Sequence, residues 1–262
     1  MKTIVVPTDF SPSAENAMTY AGAIAQAINA TLLLVHVYQI PVSMNEAPIL
    51  TIPPDELKRY ADAGLERARN LLQKNYSNID IKIESRLGDV TDEVNDVCIN
   101  NETLLVVTGN HGGDSSFERF LFGSTSLSII RHTKFPVIAV PDSTTKKEVK
   151  NIALAVDSST KNISSKVQEI VGAFHAQLKL IHVKTDKDEF NWNDSTIPVQ
   201  TIKDDEFVHG IENYIQSNNI DLLTILPHKH NLMEKIFFKT HTPQLLQKLS
   251  VPIMCISEDN TN

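Results

Sequence analysis

The stretch "KTIVVPTDFSPSAENA" (Lys2–Ala17) reads alongside "KNIALAVDSSTKNISS" (Lys150–Ser165), and the comparison decides the architecture. Each is a lysine, a short apolar run, an aspartate at its end (Asp9, Asp157) and then Ser or Thr. The correspondence continues in step. "ATLLLVHVY" (Ala30–Tyr38) matches "AQLKLIHVK" (Ala176–Lys184), pairing His36 with His182. "RHTKFPVIAVPD" (Arg131–Asp142) matches "QKLSVPIMCISE" (Gln247–Glu258), pairing Pro136 with Pro252. Self-similarity of this kind means two copies of one unit. The copies differ in length: His36 lies 100 residues before Pro136, and His182 only 70 before Pro252. "PPDELKRYADAGLERARNLLQKNY" (Pro53–Tyr76) has Leu57, Ala61, Leu65, Ala68 and Leu72 at helical spacing. No such run occurs in "DKDEFNWNDSTIPVQTIKDDEF" (Asp186–Phe207), so the second copy is expected to lack one helix.

Within the first copy, apolar runs alternate with amphipathic segments. "TIVVPT" is apolar without alternation, as in a strand buried on both faces. Ser11 is a suitable N-cap and Pro12 a suitable first helical residue, with Ala17, Ala21, Ile24 and Ile28 on the inner face. Strands at "TLLLVHVY", "IDIKIESRL", "TLLVVTG" and "PVIAVP" complete the unit, with helices at 54–76, over "DVTDEVNDVCINN" and from about Ser124. Strand–helix alternation predicts an α/β fold with parallel sheets and right-handed crossovers. The polar segment "DSTTKKEVK" (Asp142–Lys150) reads as the linker, giving units at 1–142 and 149–258.

Ligands of parallel sheets sit beyond the carboxyl ends of the strands. Asp9, Val37 and Gly109 all fall at or just past such ends. After the fourth strand comes "TGNHGGDSSFERFLFGST" (Thr108–Thr125), with Gly109, Gly112, Gly113 and Gly123 among the chain's nine glycines. Glycines let backbone N–H groups approach a phosphate. Ser124 and Thr125 open the next helix, whose free N–H groups and dipole favour an anion. The loop is not a Gly-Lys-Ser/Thr P-loop. A glycine loop kept only for its turns is the competing reading. For Asp9 the competing reading is a turn or capping carboxylate, and for His36 a packing histidine.

These segments, with "GDVTDEV" and "RHTKFPVIAVP", resemble the universal stress protein family in its tandem two-domain form. The resemblance implies two Rossmann-like (adenine nucleotide alpha hydrolase-like) domains. Each would be a mostly parallel five-stranded sheet flanked by helices, and the two would pair through their last strands as an intrachain pseudo-dimer. It further implies ATP binding, with Mg²⁺ if the nucleotide is held through a metal. Pro7, Thr8 and Asp9 would border the adenosine, and the Val37 backbone would meet the adenine edge. Gly109, His111, Gly112 and Gly113 would wrap the phosphates, and Gly123, Ser124 and Thr125 would hold the far ones. The family loop has nine residues before its last glycine; here ten, 113–122, separate Gly112 from Gly123.

The corresponding second-copy segment, "LTILPHKHNLMEKIFFKTHTPQLL" (Leu223–Leu246), contains no glycine. Nucleotide binding is therefore assigned to the first copy alone. His228, His230 and His241 match no usual zinc spacing, and no metal ligand or catalytic residue is assigned. Arg119 is the loop's basic residue, and no base accompanies it, which argues for a binding module over an efficient enzyme. A nucleotide-free interaction scaffold and a slow ATP hydrolase are the alternative functions.

Composition bounds the rest. The 262 residues are 41% hydrophobic and 21% charged, with net charge −8 and pI near 5.6. That balance disfavours a general nucleic-acid or anionic-membrane binder. Cys98 and Cys255 lie in separate apolar runs and are expected as free buried thiols. The N-terminal apolar run is too short for a signal-peptide core, so a cytoplasmic protein is expected; the resemblance implies a role in stress response or regulation, with a protein partner and further homodimerisation open.

Overall fold

The computed structural model describes residues 1–40, 52–110, 124–156, 160, 162–184, 192, 197–203, 207–226 and 251–257. The first half contains β1 (Thr3–Pro7), α1 (Pro12–Ile28), β2 (Thr31–Tyr38), α2 (Pro54–Asn75), β3 (Ile81–Leu87), α3 (Val90–Asn100), β4 (Thr103–Asn110), α4 (Ser124–His132) and β5 (Val137–Pro141). The second contains β6 (Asn151–Ala155), α5 (Ser165–Phe174), β7 (Gln177–Lys184), β8 (Val199–Lys203), α6 (Phe207–Ser217), β9 (Leu222–Ile225) and β10 (Ile253–Cys255). Among the described residues no helix lies between β7 and β8, where the first half has α2.

The strands form one sheet in the order β3-β2-β1-β4-β5-β10-β9-β6-β7-β8. The order is the same read from either end, so the two five-stranded halves are related by a pseudo-two-fold axis. Pairing is parallel within each half. At the centre it is antiparallel, with Ile253, Met254 and Cys255 opposite Ala139, Ile138 and Val137. Pairing the two last strands removes the edge that each half would otherwise expose. The expected intrachain pseudo-dimer is therefore present.

The local rules that build the elements are visible in α1. Ser11 is extended (φ −69°, ψ 161°) and its hydroxyl accepts from Ala14 N, with Pro12 following at the first helical position. Asn29, left-handed at φ 52°, ends the helix. Alternate residues of β1 then serve two cores. Ile4 and Val6 face α1 and α2, and that core runs on to α5 of the second half. Val5 faces a core built with α3, α4 and α6. All three are fully buried, and each such side chain contributes about 2 kcal/mol of burial.

The segment read as a linker is packed. Thr144 and Val149 are buried. Asp221, 5% exposed, accepts from Lys150 N at 2.8 Å and Asn151 N at 2.9 Å and pairs with the Lys146 ammonium. The start of β6 is thus fastened to the turn before β9. Cys98 and Cys255 are both free and buried. Burial pushes the Cys98 thiol up to about 12 against a weaker opposing bond to Thr103, and pushes Cys255 upward too.

Candidate functional site

Strand register brings several of the sequence-predicted residues to one edge. Pro7 pairs with Val35 and Val5 with Val106. Thr8 and Gly109, each three residues beyond the Val5–Val106 pair, therefore lie side by side at the carboxyl edge, next to Val37 on β2, with Gly109 still paired to Val140 of β5. Ser126, in the first turn of α4, donates to the Gly109 carbonyl at 2.9 Å, which ties that helix start to the same edge. Ser124 and Thr125 open α4 and are exposed. His111, Gly112, Gly113 and Gly123 lie outside the described residues, as do His228, His230 and His241.

The turn after β1 is built residue by residue. Thr8, 7% exposed, donates its N–H to Val35 O at 2.9 Å, and its hydroxyl accepts from Phe10 N at 3.0 Å. Asp9 is exposed, and its Oδ1 accepts from Ser11 N at 3.0 Å. Partial burial pulls the Asp9 carboxyl upward. Hydrogen bonds from Ser11 and the local backbone, with the nearby His36, outweigh that and hold it below the ordinary carboxylate value. The turn-carboxylate reading of Asp9 thus describes its Oδ1; among the described residues no hydrogen bond occupies its other oxygen.

Phe10 follows at φ 62°, a left-handed conformation costing a bulky residue about 1–2 kcal/mol. Contacts offset that cost. Its ring lies 4.5 Å from the His36 ring at an interplanar angle of 30°. On the other side it lies against α2 so closely that a Cβ on Gly64 would stand 2.6 Å from Phe10 Cε2. His36 Nδ1 is 2.7 Å from the Thr8 carbonyl. His36 is therefore half-buried and hydrogen-bonded, where the sequence suggested a packing histidine.

Gly109 is required by close approach. A Cβ there would meet Ser13 O at 2.5 Å and Ser13 C at 2.6 Å. The Ser13 hydroxyl contacts Asn110 O at 3.0 Å and the Asp142 carboxylate. Asn16 Nδ2 donates to Pro141 O at 3.0 Å. The start of α1 is thereby pressed between the ends of β4 and β5. Among the described residues, two buried polar atoms at this edge have no hydrogen-bond partner, Thr108 Oγ1 and Asn110 Oδ1. Thr108 is 3% exposed. Leaving such groups unpaired is costly, and both retain capacity for a polar ligand. The exposed hydroxyls of Ser124 and Thr125 and the Thr108 hydroxyl can donate to a polar or anionic ligand, and Asn110 Oδ1 can accept from a hydroxyl.

Sequence reading missed Phe10, Ser13, Gly64 and Ser126. An aromatic directly after a strand-end aspartate and serines in the first turns of both flanking helices were the available signals. Among the described residues, no group of His, Cys, Asp and Glu could hold a metal ion, and no helix is long and apolar enough to cross a membrane.

Comparisons with known proteins accord with this geometry. The chain aligns with the crystal structure of a universal stress protein from Archaeoglobus fulgidus DSM 4304 over 98% of both chains, with a TM-score of 0.62 and 16% identity. A functionally unknown protein from Pseudomonas aeruginosa PAO1 aligns over 99% of this chain and 93% of its own, with a TM-score of 0.56 and 12% identity. These two share the fold. A universal stress protein solved in complex with cAMP aligns over 54% of this chain and 97% of its own, at 28% identity and a TM-score of 0.43. No curated protein matches the sequence significantly. The model of the universal stress protein family matches residues 1–141, more than half of the 262. The chain belongs to the universal stress protein family.

Proposed function

We propose that the chain binds ATP or a related adenine nucleotide at the carboxyl edge of β1, β2 and β4, as a binding module in stress response or regulation. Residues 1–142 form the binding domain in this reading, and 149–258 a shortened partner domain. Pro7, Thr8 and Asp9 border the adenosine, and Val37 meets the adenine edge through its backbone. Gly109, His111, Gly112 and Gly113 wrap the phosphates; Gly123, Ser124 and Thr125 hold the far ones. The observation that carries the reading is the meeting of the Thr8–Asp9 turn, Gly109 and the first turn of α4 at one edge, joined by the Ser126–Gly109 bond. Buried, unpaired Thr108 Oγ1 and Asn110 Oδ1 beside it supply further polar capacity.

Protein purified without added nucleotide should release near-stoichiometric ATP or ADP on denaturation, or bind ATP, ADP or cAMP in titration calorimetry. Ser124→Glu should abolish this. A carboxylate at a helix start favours the helix while repelling phosphate, so the loss would not come from unfolding. No nucleotide released and no heat on titration, with or without Mg²⁺, would refute the reading and favour an interaction scaffold.

A further inference from the structure

The function proposed above accounts for the turn at Asp9 but not for the histidine behind it. A carbonyl oxygen only accepts hydrogen bonds, so the 2.7 Å contact between His36 Nδ1 and Thr8 O requires the hydrogen on Nδ1. In the neutral ring Nε2 then carries the lone pair. Thr8 is consequently gripped from β2 at both its main-chain groups: N–H to Val35 O at 2.9 Å and C=O to the His36 side chain. The same ring stacks on Phe10 at 4.5 Å, whose N–H is bound by the Thr8 hydroxyl. His36 also directly precedes Val37. One side chain therefore links the two strand ends that would enclose the adenosine.

The second half repeats the bond. Val156 N donates to Ile181 O at 2.9 Å, and His182 Nδ1 lies 3.0 Å from Val156 O. There the ring is buried, 2% exposed. In sequence, Ser158 follows Asp157 where Phe10 follows Asp9. The histidine–carbonyl bond is thus common to both halves, and in the first half it is coupled to an aromatic ring.

We propose that His36 is a positioning residue of the nucleotide site, which as its Nδ1–H tautomer clamps the Thr8 carbonyl and, stacked with Phe10, holds Asp9 where the adenosine binds. This rests on the nucleotide reading. The test compares wild type, His36→Phe, which keeps a stacking ring without the donor, and His36→Asn, which restores a donor without the ring. Titration with ATP should show about tenfold weaker binding for His36→Phe, the loss of one hydrogen bond's worth of positioning. His36→Asn should recover part of the loss, which a purely steric role would not produce. Long-range ¹H–¹⁵N spectra of the wild type should show the His36 hydrogen on Nδ1. That measurement needs no variant and remains decisive if His36→Phe misfolds. Unchanged affinity in a folded His36→Phe, or a neutral ring protonated at Nε2, would overturn the proposal while leaving the nucleotide reading intact. A wild type that binds no nucleotide would instead refute that reading, and this proposal with it.

Discussion

Replacing Gly109 by alanine tests how the site edge is assembled. The left-handed region is not involved, because Gly88 alone among the described glycines has positive φ. The cost is spatial. The new methyl would stand 2.5 Å from Ser13 O, 2.6 Å from Ser13 C and 3.0 Å from Ala14 N. All three are backbone atoms of the first turn of α1, so no side-chain rotation relieves them. The turn must retreat by about 1 Å to reach ordinary contact distance. That retreat breaks the Ser13–Asn110 bond of 3.0 Å. Overpacking of about 2 kcal/mol and one lost bond near 1 kcal/mol give about 3 kcal/mol. For a chain of this size the loss corresponds to a fall in Tm of roughly 6–12 °C. Urea unfolding followed by circular dichroism measures it, and ATP titration of the same variant should show weakened binding. A stability change below about 0.5 kcal/mol, the level of a neutral surface change, would refute the claim that β4 and α1 are in closest contact there.

Gly172 in α5 has nothing within 4 Å of its Cβ position, so Gly172→Ala should raise stability by up to about 1 kcal/mol through helix propensity; a loss in the same urea assay would contradict the open space. Asp221→Ala should cost about 3 kcal/mol by leaving the Lys150 and Asn151 N–H groups unsatisfied, and a near-neutral result would show that the linker is not fastened there. Both cysteines are buried with thiols pushed upward, so a thiol reagent at pH 8 should modify neither in the native protein and both in denaturant; prompt labelling of the native protein would refute this. The depressed Asp9 carboxyl contributes stability that is present above the ordinary carboxylate value and is lost as pH falls through its own lower value. Asp9→Asn should therefore lessen the acid-side loss of stability, and an unchanged acid limb would show the Ser11 bond to be unimportant.

What was legible in the sequence was whatever a short window encodes. The apolar runs marked β1, β2, β4 and β5 to within a residue, because strands buried on both faces need no alternation; the edge strand β3, nearly half charged in sequence, begins two residues later than the stretch read for it. The Ser11–Pro12 start of α1 is local chemistry; the pairing of β5 with β10 was expected from the family resemblance, and the apolar edges of the two strands give it a physical motive. The absence of an α2 counterpart was legible because the two copies could be counted against each other. What stayed hidden depends on residues distant in sequence. Ser13 meets Asn110, and Phe10 rests on Gly64; neither glycine nor serine announces its partner. The linker looked featureless because its anchor, Asp221, lies some 70 residues away. In the glycine loop, the residues from His111 to Gly123 fall outside the described structure, so their roles remain those proposed.

Duplication within the chain separates what the fold requires from what the site requires. Both halves keep the serine N-cap (Ser11, Ser164), the left-handed helix end (Asn29, His175) and the histidine bond to the first strand's carbonyl. The two caps close a strand–helix–strand unit; in the first half the histidine bond is also coupled to Phe10, and that coupling is what is assigned to the site. Strand register places Leu226 at the second-half position that matches Gly109, Ser158 follows Asp157 where Phe10 follows Asp9, and among the described residues no helix carries a counterpart of the Gly64 notch. The missing helix then has a physical meaning. In the first half α2 is the surface on which Phe10 rests, so it supports the turn that carries Asp9. In sequence the second half has neither a glycine loop nor an aromatic after Asp157, and among the described residues it shows no counterpart of α2, the pattern expected if the three serve one site.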